Sequence, residues 1–280
     1  MIQGLCGIGQ GRCCVSVSAS ISTDHNTITK CVPEAVYHST RPMSATSRKR
    51  LQIPAAIASI RQHGALLVFP INNREQPHSL WAEFFPKKRM VWEWNEDGDH
   101  CVWNMWQMMK RLSDCREVVY SKWYQGRATF FSHELFTAML ALRGTCFTPR
   151  HELSETARVL FEVLENNSPL STKELKQLTD LQGKVHEAEY SRGMKELFTR
   201  LLIVGFGEVE DGAFPSLAVG ATELLFEELW REGAELSGVK AHAALDRFMP
   251  AGSHFRRQFE KTFSGYGVPA PPGQEGRRAH

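Results

Sequence analysis

The residue types best suited to holding a polyanion fall in one segment of the chain, residues 118–131. The segment alternates as two strands around Gln125-Gly126, which is typical of a two-residue hairpin turn. This turn predicts three cross-strand pairs: Tyr124 with Arg127, Lys122 with Thr129, and Tyr120 with Phe131. The same alternation places two cations, a phenol and a hydroxyl on one face: Lys122, Tyr124, Arg127 and Thr129. These groups suit phosphate contacts and base stacking, so the hairpin is predicted to bind nucleic acid; the alternative is an ordinary solvated hairpin.

A second segment with chemical potential surrounds two tryptophans. Trp92 and Trp94 flank Glu93 and are candidates for the wall of a cleft in which bases stack. No catalytic residue is identified, and Glu93 and Asp97 are the candidates if the chain uses a catalytic carboxylate. Their spacing imitates the start of a calcium loop, but Asn104 stands at the twelfth position and cannot supply the bidentate carboxylate. The segment is therefore interpreted as an acidic turn before a helix.

The other chemistry-bearing residues form no recognisable catalytic or metal-binding pattern. The seven cysteines are odd in number and include no C-x-x-C pair, which argues for reduced thiols and against a structural zinc site. G-x-S-x-G, P-loop and H-E-x-x-H motifs are absent. Neither a cofactor nor a metal is predicted. No apolar run approaches the ~20 residues that a spanning helix needs, so no membrane partner is predicted and a cytoplasmic location is expected.

The elements that position these residues are clearest in the second half of the chain. Apolar spacing and turn signals predict three helices and two strands, over residues 154–166, 171–178, 185–202, 203–209 and 214–219. Ser171 and Glu174 form a capping box at the start of the second helix, and Asp211-Gly212 joins the two strands. Helix, short helix, longer helix and hairpin in this order predict a winged helix-turn-helix.

The third of these helices is the element with which a winged helix reads DNA. Its outward face carries four cations: Lys184, Arg192, Lys195 and Arg200. They are offset by three glutamates: Glu187, Glu189 and Glu196. Arg192 and Lys195 are the predicted nucleic-acid contacts. A reading helix is usually more one-sidedly basic, so a solvated helix in a protein-interaction module is the alternative.

The first half is predicted to form a basic, aromatic module that is like a winged helix. Apolar spacing predicts helices over 53–63, 79–85 and 99–112 and a strand over 65–71. The apolar stripe of the third helix is Val102, Trp103, Trp106 and Met109, which places both tryptophans in the core. Ser132 starts a further helix. Residues 47–150 hold fifteen Lys/Arg against nine Asp/Glu, whereas residues 151–262 hold thirteen against nineteen, so a polyanion is expected to face the first half.

These elements predict a helix-rich α+β fold of tandem winged helix-turn-helix modules. The predicted parts are a disordered leader or misassigned start (1–46), the basic aromatic module (50–150), the second winged helix (151–232), a helical extension (233–262) and a disordered tail (263–280). Residues 1–46 show neither a helical nor a strand period, so the sequence leaves open whether Met1 or Met43 is the true start. Oligomeric state is equally open.

The hairpin and its neighbours resemble the AlkZ/YcaQ superfamily of winged-helix DNA glycosylases, and in particular the AlkZ-related group. The residues that carry the resemblance are Tyr120-x-Lys122-x-x-x-x-Arg127-Ala128-Thr129, Ser132 and Phe69-Pro70-Ile71. Residues 160–202 are similar to the downstream winged helix of that group, and the likeness spans most of residues 53–230. The resemblance implies a protein that binds duplex DNA and is related to DNA repair.

The sequence departs from the active glycosylases at the residues of their chemistry. Those enzymes are expected to carry Gln-x-Gln or Gln-x-Asp after the first helix, to position water and stabilise the developing sugar cation. This chain contains neither pair and has Leu67, Phe69 and Ile71 at that place. Apolar side chains cannot orient water or offset a positive charge, so glycosylase activity is not expected.

The first hypothesis is therefore a DNA-binding protein that recognises damaged or distorted DNA without releasing a base. A transcriptional regulator that reads duplex sequence through the second module is one alternative. A protein-interaction scaffold that uses the acidic second half is the other.

Overall fold

The computed structural model describes residues 52–92, 100–209 and 216–263. This part of the chain contains two runs with the same order of elements. The first run contains α1 (Ile53–His63), β1 (Ala65–Leu67), α2 (Leu80–Phe84), α3 (Cys101–Asp114), β2 (Val119–Tyr124) and β3 (Arg127–Phe131). The helix α4 (His133–Arg143) and two 3₁₀ turns, Thr145–Phe147 and Arg150–Glu152, lead to the second run. That run contains α5 (Glu155–Asn167), β4 (Leu170–Ser171), α6 (Thr172–Leu178), α7 (Glu187–Thr199), β5 (Ile203–Val209) and β6 (Ser216–Ala221).

Local sequence signals set several of the helix ends. Ser132 and Ser154 accept backbone N–H groups at the starts of α4 and α5, which confirms the predicted helix start at Ser132. The capping box of Ser171 and Glu174 is formed at the start of α6, also as predicted. Gly144 ends α4 in the left-handed region, where a residue without a Cβ is least strained.

The sheet has six antiparallel strands in the order β1-β3-β2-β5-β6-β4. From either edge to the centre, the order is short strand, second hairpin strand, first hairpin strand. In each run the short strand pairs with the second hairpin strand, and the first hairpin strands, β2 and β5, pair with each other. At this junction Tyr120 lies opposite Gly205. A Cβ at residue 205 would lie 2.2 Å from Cδ1 of Tyr120, so the ring occupies the space that glycine leaves. The α+β prediction is confirmed, with one sheet extending through both halves.

In the strands of the first run, alternate side chains pack against helices on opposite faces of the sheet. Leu66, Tyr120 and Phe130 pack with α1, α2 and α3. Leu67 and Phe131 pack with α4 and the C-terminal helices, which are α8 (Thr222–Leu225), α9 (Glu227–Glu235), α10 (Gly238–Phe248) and α11 (His254–Phe263). A third cluster lies between α5, α6, α7 and the second hairpin. Within the described ranges, no helix is both long and apolar enough to cross a membrane.

The predicted apolar stripe of α3 is largely wrong. Trp103 is 47% exposed and Trp106 is half-buried, and the two rings contact each other with centroids 5.0 Å apart. Of the predicted stripe only Val102 is buried; the observed stripe also contains Met105, Met108, Leu112 and Ser113. Helical spacing fits both the predicted and the observed stripe. In the structure the stripe with Met105 and Met108 is the one that packs against α1 and the sheet.

Candidate nucleic-acid interface

The tip of the first hairpin has the predicted two-residue turn. Gln125 and Gly126 have φ values of 52° and 73°, which are the left-handed conformations of a type I′ turn, and Tyr124 pairs with Arg127 as predicted. Beyond the turn the predicted register is wrong. A bulge between Ser121 and Tyr124 adds one residue to β2, so Ser121 rather than Lys122 lies opposite Thr129.

The four predicted contacts also do not share one exposed face. Thr129 is fully buried and its hydroxyl donates to the carbonyl of Arg127 at 2.9 Å. Tyr124 is 3% exposed, with its ring edge-on to Phe255 at 5.0 Å between centroids. Lys122 is half-buried, and this burial holds the pKa of its amine below the ordinary value. Arg127 alone of the four is exposed.

The exposed end of the hairpin borders an open cleft of about 850 Å³, here called the hairpin cleft. Three elements form it: the β2–β3 turn, the outward face of α7, and α11. Its lining includes Gln125, Gly126, Arg192, Lys195, Gln258 and Lys261. A smaller depression of about 240 Å³ continues from it past Tyr124 and adds Arg257. The fold therefore brings the predicted contacts Arg192 and Lys195 to the tip of the predicted hairpin, at a distance of about 70 residues in sequence.

The charge of the hairpin cleft is positive. Of the lining residues that the structure describes, the one acid is Glu196, which accepts from the hydroxyl of Ser154 at 2.6 Å and lies 3.4 Å from Nε of Arg200. Among the described residues no ion pair engages Lys195, Lys261 or Arg257. Glu196 thus interacts with neighbours outside the cleft, so the positive charges of Lys195, Lys261 and Arg257 are available to an anionic ligand.

The phenol of Tyr124 lies near cations of two elements. Burial raises the pKa of its phenol, and the guanidinium groups of Arg257 and Arg127 act in the opposite direction. Both guanidinium groups therefore lie near the same hydroxyl, one on α11 and the other at the hairpin tip. The exposed Arg127 extends the positive surface from the cleft along β3.

The structure differs from the sequence prediction for three cations of α7 and α11. Arg200, predicted on the outward face of the third helix, is 6% exposed and donates to the carbonyl of Glu152 at 2.9 Å, because it closes the end of α7 against the preceding 3₁₀ turn. Arg257 and Lys261 were not predicted. Their spacing of four residues on one helix face is the signal that could have found them, although nothing in it places α11 beside the hairpin.

A second basic cleft, the loop cleft, lies in the first run. It encloses about 490 Å³ and is lined by the cations Arg74, Lys87, Lys88 and Arg89 and by the rings of Trp81 and Phe85. Trp92 is 58% exposed, with its centroid 5.0 Å from that of Phe69, which in turn lies 6.3 Å from Trp81. The ring predicted to stack on bases is thus connected by aromatic contacts to this cleft. Glu93, Trp94 and Asp97 lie outside the described residues.

The segment that follows α1 has apolar side chains at the three positions where the sequence resemblance implies a polar pair. Leu67 is fully buried in the sheet opposite Thr129, and Phe69 and Ile71 are half-buried. Phe69 packs with α1–α3, whereas Ile71 packs with the other layer.

The protein is of the α+β class, with two runs of helices and a hairpin on one antiparallel sheet. A basic cleft lies at the third helix of the second run. A family model described as AlkZ related matches residues 52–255, and the chain belongs to this AlkZ-related family. Neither the curated proteins nor the solved structures gave a match. Family membership confirms the resemblance and relates the chain to DNA glycosylase-like, DNA-binding proteins.

Proposed function

We propose that this protein binds duplex DNA in the hairpin cleft, recognises damaged or distorted sites, and does not itself release a base. The observation that carries the proposal is a set of exposed cations on α7 and α11 that line the hairpin cleft and the depression continuing from it: Arg192, Lys195, Arg257 and Lys261. The exposed Arg127 lies next to the hairpin turn that forms the third side of the cleft. Phosphate contacts supply most of the affinity of such proteins for DNA, and they require cations that are not already paired. Contact of Lys122 with DNA stays a prediction.

Each run of elements is proposed to be a winged helix. The repeated order of helix, short strand, short helix, long helix and hairpin supports this, as does the pairing of the short strand with the second hairpin strand in both runs. In such a module the third helix approaches DNA. In the second run this helix is α7, whose Arg192 and Lys195 line the hairpin cleft.

Recognition of damage is proposed to combine phosphate anchoring with stacking. A distorted or abasic site costs less to unstack than intact duplex, and an exposed aromatic ring can occupy the opened step. Trp92 is suited to this by its exposure and by its support from Phe69. Base release needs an aligned water and a polar group near the sugar, whereas the segment after α1 offers Leu67, Phe69 and Ile71.

The test is the affinity of the full chain for three duplexes of one sequence: intact, with one abasic site, and with one alkylated purine. Fluorescence anisotropy at several salt concentrations measures both affinity and preference. The proposal predicts binding to all three, tighter on the distorted duplexes, with a salt slope of roughly −0.9 for each phosphate engaged. Absence of binding at low salt would contradict it and favour the protein-interaction scaffold. Strong preference for one intact sequence over others would favour the transcriptional regulator.

A further inference from the structure

Three metal-binding side chains meet at the edge of the first run, remote in sequence from the cations of the hairpin cleft on α7 and α11. His63 is the last residue of α1, His78 lies in the loop before α2, and Glu83 is on α2. The loop is held in place because the N–H of Leu67 in β1 donates to the carbonyl of His78 at 3.0 Å. Ser79 then caps α2, which brings Glu83 back over the two imidazoles one turn later.

The donor atoms of these three residues are nearly close enough to share one ion. Nε2 of His63 lies 3.5 Å from Oε1 of Glu83, and Nε2 of His78 is hydrogen-bonded to the same oxygen. All three donor atoms lie within 4.8 Å of one another. A tetrahedral Zn²⁺ with ligands at about 2.0–2.1 Å holds its donor atoms roughly 3.3 Å apart, so small rotations of the side chains complete the site.

The surroundings prepare the cluster for a cation. Ser59 donates its hydroxyl to the other carboxylate oxygen, Oε2 of Glu83, at 2.9 Å, and so orients Oε1 toward the imidazoles. Burial lowers the pKa of His63, more than the charge of Glu83 raises it. Burial acts to raise the pKa of Glu83, but hydrogen bonds from His78 and Ser59 outweigh it and the pKa lies below its ordinary value.

We propose that His63, His78 and Glu83 bind a divalent transition metal ion, Zn²⁺ or an ion of the same size and ligand preference. Two imidazole nitrogens and one carboxylate oxygen are a zinc donor set in which a fourth position stays open to water. The three side chains are 34%, 30% and 30% exposed, so water and the ion reach the site directly. Bound metal ties the end of α1 to α2 and to the loop between them.

The experiment uses the full chain with any affinity tag removed. Isothermal titration with Zn²⁺ measures stoichiometry and affinity, and Co²⁺ provides a visible spectrum in which thiolate ligation is recognised by its charge-transfer band. The variants are His63→Ala, His78→Ala and Glu83→Gln, with His242→Ala as the matched control because His242 is an exposed histidine on α10 outside the cluster. Circular dichroism checks that each variant is folded.

The expected result is one ion per chain, Co²⁺ bands without thiolate character, and a melting temperature that rises by roughly 5 °C at a hundredfold excess of Zn²⁺ over its Kd. Each cluster variant should weaken binding at least about a hundredfold, since loss of an outer-shell partner alone costs 10–100-fold. His242→Ala should bind like the parent.

Two results would overturn the proposal. The first is no saturable binding by the parent chain; the second is binding that the cluster variants leave unchanged, above all with a thiolate band that places the ion on cysteine. If an alanine variant does not fold, NMR of the parent decides. Zn²⁺ must then shift the ring resonances of His63 and His78 but not that of His242.

Discussion

Replacement of Gly205 by alanine tests the junction that makes one sheet of the two runs. Gly205 is not among the glycines with positive φ, so the backbone itself tolerates alanine. The added methyl group would lie 2.2 Å and 2.6 Å from two ring atoms of Tyr120 and 3.3 Å from Cδ1 of Leu217. The ring is 4% exposed and packed against Phe130 at 5.3 Å, so it cannot swing away without displacing the core.

Overpacking of this kind typically costs about 1–3 kcal/mol. A domain of this size loses roughly 2–4 °C of Tm per kcal/mol, so Gly205→Ala should lower the Tm of the protein by about 2–12 °C. Differential scanning calorimetry measures the change. Gly238→Ala is the matched control, because a Cβ at the start of α10 meets nothing within 4 Å and φ is not positive there; it should be neutral or slightly stabilising.

A double-mutant cycle identifies the cause of the loss. In a chain that carries Tyr120→Leu, the smaller side chain leaves room for the methyl group, so Gly205→Ala should cost at least 0.5 kcal/mol less than in the parent, as an estimate for residues in contact. A Tm for Gly205→Ala equal to that of the parent would refute the packing described at this junction. Equal costs in the two backgrounds would refute the assignment of the clash to Tyr120.

Three further predictions concern DNA. Arg127→Ala should weaken duplex binding and flatten the salt slope by about one unit, whereas Lys240→Ala, an exposed charge on α10 outside the cleft lining, should leave both unchanged. Trp92→Ala should reduce the preference for an abasic over an intact duplex by about 1–3 kcal/mol, with the salt slope unchanged. An alkylated duplex incubated with the protein should release no free base above background in a chromatographic assay; release that Glu93→Gln or Asp97→Asn abolishes would make the acidic turn catalytic.

Local signals in the sequence were sufficient for most helices. Pro54 near the start of α1 and Gly64 just after it mark both ends, and the predicted bounds 53–63 are confirmed. The strand over 203–209 is likewise confirmed. Bounds were less accurate where no such signal exists: the strand predicted over 65–71 ends at Leu67, because the chain then turns away to bring His78 alongside it.

The hairpin register could not be predicted from the turn alone. The Gln125-Gly126 turn was recognised, yet the bulge in β2 has no sequence signal of its own and changes which β2 residue lies opposite Thr129. Thr129 was placed on the surface, although it is fully buried opposite Leu67 of β1 in the interior of the sheet.

The sites depend on contacts that only the folded chain provides. Arg257 and Lys261 reach the hairpin because Phe255 packs on Tyr124 across more than a hundred residues of sequence. The cluster of His63, His78 and Glu83 was missed for the same reason, since neither histidine is at a motif spacing from the carboxylate.

The most direct test of the central claim, that the hairpin cleft holds DNA phosphates, is the salt dependence of duplex binding by a double variant. Lys195→Ala with Lys261→Ala removes one cation from α7 and one from α11, both exposed and both lining the cleft. The slope of log K against log salt should fall in magnitude by about two units relative to the parent, with Tm unchanged. A slope equal to that of the parent would mean that DNA is bound elsewhere, and the hairpin cleft would not be the interface.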